Sequence, residues 1–158
     1  MREIKFRAKD YTGEWRYGYL IQGVDIENKP IKNFIIENTS EVNILNKGLL
    51  QKYYEIDFET LGQYTGLKDT NGKEIYEGDI IKMHYFFDNY DPTTFGVFED
   101  ESEITGEIVF DLDGFRVIDK DDEKRELPLS IIQEPVEELE VLGNIYDNPE
   151  LLEAINED

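Results

Sequence analysis

The chain has no cysteine and a single histidine, His84. Without thiols it forms neither disulfides nor thiolate metal sites, a composition that suits a reducing cytoplasm. One imidazole excludes a zinc centre built from several histidines and a histidine-activated nucleophile supported by a second imidazole. No stretch approaches the roughly 20 apolar residues of a membrane span, and the opening MREIKFRAKD alternates charged with apolar residues where an export signal is continuously apolar. Neither a G-x-G-x-x-G pattern nor a P-loop occurs, and Gly62, Gly66 and Gly72 have no helical pattern behind them to receive a phosphate. These absences lead us to expect a cytoplasmic protein with no cofactor and no membrane partner.

Basic residues are also scarce, and unevenly so. Residues 1–60 carry 9 Lys or Arg against 10 Asp or Glu, whereas residues 61–158 carry 7 against 27. The acid therefore belongs to the C-terminal part. Such a field repels phosphate backbones, so no direct contact with nucleic acid is expected there, while a basic protein surface is attracted. The same charge also serves solubility alone.

What is present reads as short strands. Ile4, Phe6 and Ala8 alternate with charged residues, and Thr12 and Gly13 turn the chain into a second strand carrying Trp15, Tyr17 and Tyr19. A β-rich run over 31–37 follows, then a short helix over 42–50 with Ser40 as its N-cap. Strands are expected at 62–67, 73–87, 104–110, 115–119, 127–132 and 141–146, with Pro128 limiting its strand to an edge or a bulge because it offers no N–H. Asn148, Pro149 and Glu150 have the N-cap, first-turn proline and first-turn acid of a helix over 149–155.

The block TLGQYTGLKDTNGKEIYEGDIIK, residues 60–82, contains a turn at Asp69, Thr70, Asn71 and Gly72 and a second break at Gly78 between Glu77 and Asp79. Glycine between two carboxylates suits a bulge or a sharp bend. With MREIKFRAKD before it and VLGNIYDNPELL after it, the block resembles the YopX-like family of phage- and prophage-borne proteins. The family often reads R-A-W-D at the N-terminus; this chain has Lys9 in the aromatic position, and either Trp15 replaces that contact from the next strand or the local surface differs. The resemblance implies a mainly β protein, with an N-terminal β-rich part over 1–60 and an SH3-like small barrel with a short C-terminal helix over 61–158. It implies no catalytic residues.

Several residue sets carry groups capable of chemistry. His84 lies in an aromatic run and reads as a strand histidine at an edge. Asp111 and Asp113 in DLDG lack the further oxygen ligands of an EF-hand loop and read as a β-turn. Glu77 and Asp79 suit acid–base work only if buried together, and turn chemistry accounts for them. No catalytic, cofactor-binding or metal-binding residue is assigned. Residues 86–98, FFDNYDPTTFGVF, read instead as an excursion between two strands that contains Pro92 and Gly96, yet carries Phe86, Phe87, Tyr90, Phe95 and Phe98. These rings either fold back onto the barrel, the preferred expectation, or meet a partner.

The expected function is a non-catalytic protein–protein interaction module with a protein partner of unspecified identity or a homo-oligomer. An acidic mimic of nucleic acid that blocks a DNA-binding host protein is the alternative. A small-molecule enzyme is the second alternative, and no motif announces it.

Overall fold

The computed structural model describes residues 3–24, 27, 30–37, 52–111, 114–122, 124–131 and 138–153. The helix expected over 42–50 lies outside them. The chain is mainly β and forms two compact units, Met1–Gly66 and Leu67–Asp158.

The first unit holds β1 (Phe6–Lys9), β2 (Trp15–Val24), β3 (Pro30–Glu37), β4 (Tyr53–Glu55) and most of β5 (Gly62–Lys68), antiparallel where their registers are described, in the order β4-β3-β2-β1-β5. The turn from β1 to β2 is set by Asp10. Its Oδ1 accepts from the Thr12 N–H at 2.8 Å, the Thr12 hydroxyl at 2.5 Å and the Glu14 N–H at 3.2 Å, while Oδ2 accepts from Arg16 Nε at 2.7 Å. This is how an aspartate closes a turn with its own side chain, and the donors hold its carboxyl well below the usual carboxylate range, the Thr12 hydroxyl foremost. Ala8, Ile35 and Ile56 form the unit's small core, with Phe6, Leu20 and Leu61 against it. Ile4 lies before the first strand and is exposed. Trp15 pairs in register with Lys9, and its ring lies under the Lys9 ammonium and the Arg7 guanidinium, at 5.4 and 4.8 Å from the ring centre.

The second unit holds β6 (Glu74–Tyr76), β7 (Asp79–Asp91), β8 (Gly96–Asp111), β9 (Gly114–Asp119), β10 (Glu126–Pro128) and β11 (Leu139–Asn144). Five of them make an antiparallel sheet in the order β10-β9-β8-β7-β11. As Pro128 requires, β10 is an edge strand. Inward residues alternate along β7, β8 and β9, so Ile81, Met83, Ile104, Ile108 and Val117 are almost fully buried. A fully buried side chain of this size stabilises by about 1.5–3 kcal/mol, which makes this cluster the principal core of the unit. The turn at 69–72 is docked on it: Asp69 Oδ1 accepts from the amides of Asn71 and Lys73, and both the amide and hydroxyl of Thr70 donate to the Leu139 carbonyl. Gly78 breaks the chain between β6 and β7 at φ +79°, a left-handed conformation that favours glycine. Its N–H donates to the Ile108 carbonyl, and its own carbonyl accepts from the Ile145 N–H.

At the C-terminal end the expected helix is a 3-10 turn, Pro149–Leu152, with the remainder of 149–155 beyond Glu153 outside the described residues. Asn148 makes no side-chain cap. Its carboxamide instead lies against Gly143, so close that a Cβ there would fall 2.5 Å from Oδ1.

Candidate interaction surface

Residues 86–98 are not an excursion from the sheet. β7 and β8 stay paired, residue against residue, from Ile80↔Glu107 out to Asp91↔Gly96, and only 92–95 form the loop. The hairpin is closed by Asp91, whose carboxylate accepts from the Thr93 amide at 2.8 Å, the Thr93 hydroxyl at 2.6 Å and the Thr94 hydroxyl at 2.8 Å. These donors, led by the Thr93 hydroxyl, pull its pKa from 3.8 down to about 2. Phe95 follows at φ 55°, a rare conformation for a bulky residue, which sends its ring off the tip.

The hairpin outruns its neighbours. β11 flanks β7 only over 79–83, with one more bond from the His84 N–H to the Glu138 carbonyl, and β9 flanks β8 only over 106–111. The outer part is therefore a two-stranded ribbon, at least among the described residues. Partners in register share a face, and faces alternate along each strand. Phe86↔Glu101 and Tyr90↔Val97 lie on the face of His84↔Glu103, whereas Phe87↔Asp100 and Asn89↔Phe98 continue the face of the buried pair Met83↔Ile104. The five aromatic residues thus divide between two faces and the tip. All are exposed: Phe86 54%, Phe87 40%, Tyr90 53%, Phe95 80% and Phe98 48%. They do not fold back onto the core. Val97, 68% exposed on the Phe86 face, belongs with them and was missed because a lone valine between glycine and phenylalanine carries no signal of its own.

Tyr85 anchors the root of the ribbon by packing on the core. Its hydroxyl accepts from Arg125 Nη2 at 3.0 Å, and the same guanidinium reaches the Ser102 hydroxyl at 2.6 Å, the Glu103 backbone carbonyl at 2.9 Å and, through Nη1, Asp119 at 3.0 Å. Four acceptors on three chain segments make Arg125 the clamp on the outer side of β8. No local pattern in the sequence marks it.

His84 sits with one ring nitrogen 3.4 Å from Glu101 and the other 3.8 Å from Glu138, edge-on to Phe86 at 5.0 Å. Beside it Lys82 meets Glu103 at 2.9 Å, a contact that raises the lysine pKa, and Lys82, His84, Glu103 and Glu138 help line an open cleft of about 270 Å³. Among the described residues no group of three or more acidic, histidine or cysteine side chains is placed to hold a metal ion. Of the Glu77 and Asp79 pair, Asp79 is buried and accepts the Tyr76 N–H at 2.7 Å, a turn role, while Glu77 acts on another carboxyl. Burial, and next the Glu77 charge, push the half-buried Glu107 above its usual 4.5. Asp111 pairs with Gly114 as a hairpin end and accepts from Arg116 at 2.9 Å; Asp113 lies outside the described residues. No helix among the described residues is long and apolar enough to cross a membrane.

These features define a mainly antiparallel-β protein of two units, with six exposed apolar side chains gathered on one acidic ribbon. The chain belongs to the YopX family, whose model, described as YopX protein, matches residues 5–153. It is similar to the crystal structure of protein EF1440 from Enterococcus faecalis, at 26% identity, covering 97% of this chain and 100% of that one with a TM-score of 0.50. No curated protein matches it.

Proposed function

We propose that the protein is a non-catalytic protein–protein interaction module of phage or prophage origin, acting in the cytoplasm of a bacterial host, with the β7–β8 ribbon as its contact surface. One observation carries this reading: a two-stranded ribbon holds five aromatic side chains in solvent. Aromatics are enriched where proteins meet, and an exposed apolar cluster on a small protein marks such a place. The second unit is read as an SH3-like barrel. In support, its strands β7 to β10 run as a meander, a 3-10 turn (Leu129–Ile131) follows β10, and β11 returns beside β7.

The test is capture from host cells that carry the gene. Replacing Phe95 and Phe98 with Ser removes the partner and leaves the melting temperature within about 3 °C, since exposed rings contribute to contact and not to the core. Undiminished capture by the double variant overturns the ribbon as the surface.

A second reading is favoured by the charge of 7 basic against 27 acidic residues over 61–158. In it the acidic unit mimics nucleic acid and occupies the basic site of a DNA-binding host protein. Competition of the captured partner by duplex DNA, with steep weakening by salt, supports mimicry; indifference to both removes it.

A further inference from the structure

We propose that the outer edge of β8, from Val97 to Glu101, takes up an extended segment of a partner protein bearing arginine or lysine, which adds to the ribbon as a further strand. The inference rests on the ribbon being the contact surface and specifies how it is used and by what.

The edge is open. Beyond Gly106, β8 has no strand on the side away from β7 among the described residues. The direction of its backbone groups follows from two bonds, because the Thr105 carbonyl accepts from the Lys120 N–H and the Glu103 carbonyl accepts from Arg125, both on that outer side. Groups two residues apart on a strand point the same way, so the N–H and C=O of Val97, Glu99 and Glu101 also face outward. The Glu101 N–H confirms the direction, since it donates to the neighbouring Asp100 side chain at 2.9 Å instead of to β7. An incoming carbonyl replaces that local acceptor.

The chemistry of the occupant is written on the same edge. Residues 85–103 carry six carboxylates and no lysine or arginine. Glu99, Glu101 and Glu103 stand in a row on one face, with the exposed Val97 at its end. An alternating segment with cationic and apolar residues answers that row. The protein shows one instance of the fit in itself, because the next carbonyl along the edge, that of Glu103, is already held by the guanidinium of Arg125. A second copy is a poor occupant. Pairing two β8 edges sets Glu99, Asp100 and Glu101 against their equivalents, and like charges facing across a ladder repel. Nucleic acid is repelled for the same reason.

The test uses the full chain, isotope-labelled for NMR, with a synthetic peptide of roughly nine residues alternating arginine with valine and a second one with glutamate for arginine, long enough to span the edge. The arginine peptide shifts the amides of Val97, Glu99 and Glu101 and slows their exchange, and its affinity falls roughly tenfold between about 50 and about 300 mM salt. Glu99→Gln weakens it a few-fold. Glu99→Pro removes an outward N–H while leaving the bonds to β7 intact, and abolishes the protection. Should that variant unfold the ribbon, Glu99→Lys with Glu101→Lys provides the check by transferring preference to the glutamate peptide. No protection at these amides, equal binding of the two peptides, or indifference to the charge reversal overturns strand addition. If these fail while the Phe95 and Phe98 variant still loses its captured partner, the ribbon stands as the contact surface and only this mode of use is removed; if both fail, both readings go.

Discussion

Phe98 lies opposite Asn89 in the β7–β8 ladder, on the face that carries the buried pair Met83 and Ile104 further in, yet 48% of Phe98 is open to solvent. The same face is core at one end of the hairpin and surface at the other. What changes along it is the neighbours, since β9 and β11 stop before the ribbon begins. Apolar side chains there have no third strand of the described sheet beside them.

The hairpin turn depends on an ionised Asp91. Its folded pKa of about 2 lies below the ordinary 3.8 of an aspartate, so the stabilisation is fully present above 3.8 and is lost as pH falls through about 2. Carboxyl NMR titration is expected to show Asp91 as a low-titrating group, and Thr93→Val, which deletes the leading donor, to raise it toward 3.8. An unshifted Asp91 contradicts this account of the tip.

Glu107 has the opposite sign. Its folded pKa is raised above 4.5 by burial and then by Glu77, so the unfolded chain ionises it more readily and the charged group works against folding at neutral pH. Glu107→Gln therefore raises the melting temperature at neutral pH, and the gain disappears below about pH 4.5. Glu77→Gln lowers the Glu107 pKa part of the way. A Gln variant that melts below wild type at neutral pH sinks the burial argument.

Two glycines separate two kinds of constraint. At Gly106, where β8 acquires β9, a Cβ would fall 1.8 Å from the Ile118 carbonyl oxygen, a backbone atom that cannot turn aside. Gly106→Ala is expected to destabilise by about 2–3 kcal/mol or more. At Gly78 the nearest obstacle is the Tyr146 ring at 3.3 Å, and the cost is mainly that of a left-handed backbone, about 1–2 kcal/mol for Gly78→Ala. Denaturant midpoints for the two variants give the order directly.

Local chemistry was legible in the sequence and distant chemistry was not. The turns at Thr12 and Gly13 and at 69–72, the break at Gly78 and the edge placement of Pro128 were all readable because each follows from one residue and its immediate neighbours. The ribbon was misread because strands are recognised by one wet and one dry face, and a ribbon with no covering layer has no dry face. Phe86 and Phe87, adjacent in sequence, point to opposite sides, which breaks the alternation, while Pro92 and Gly96 advertise a loop that is only the tip. Arg125 and Glu107 owe their surroundings to chain segments far away in sequence, so no window around either contains the signal.

The central claim is that partners meet this protein at the ribbon, and site-specific photocrosslinking in cells carrying the gene tests it most directly. A photoreactive phenylalanine analogue placed at Phe98 is compared with the same group at Tyr11, a still more open aromatic position on the first unit, 73% exposed. The account predicts a discrete protein adduct from position 98 and none from position 11. Adducts of equal yield from both positions, or from position 11 alone, would contradict it.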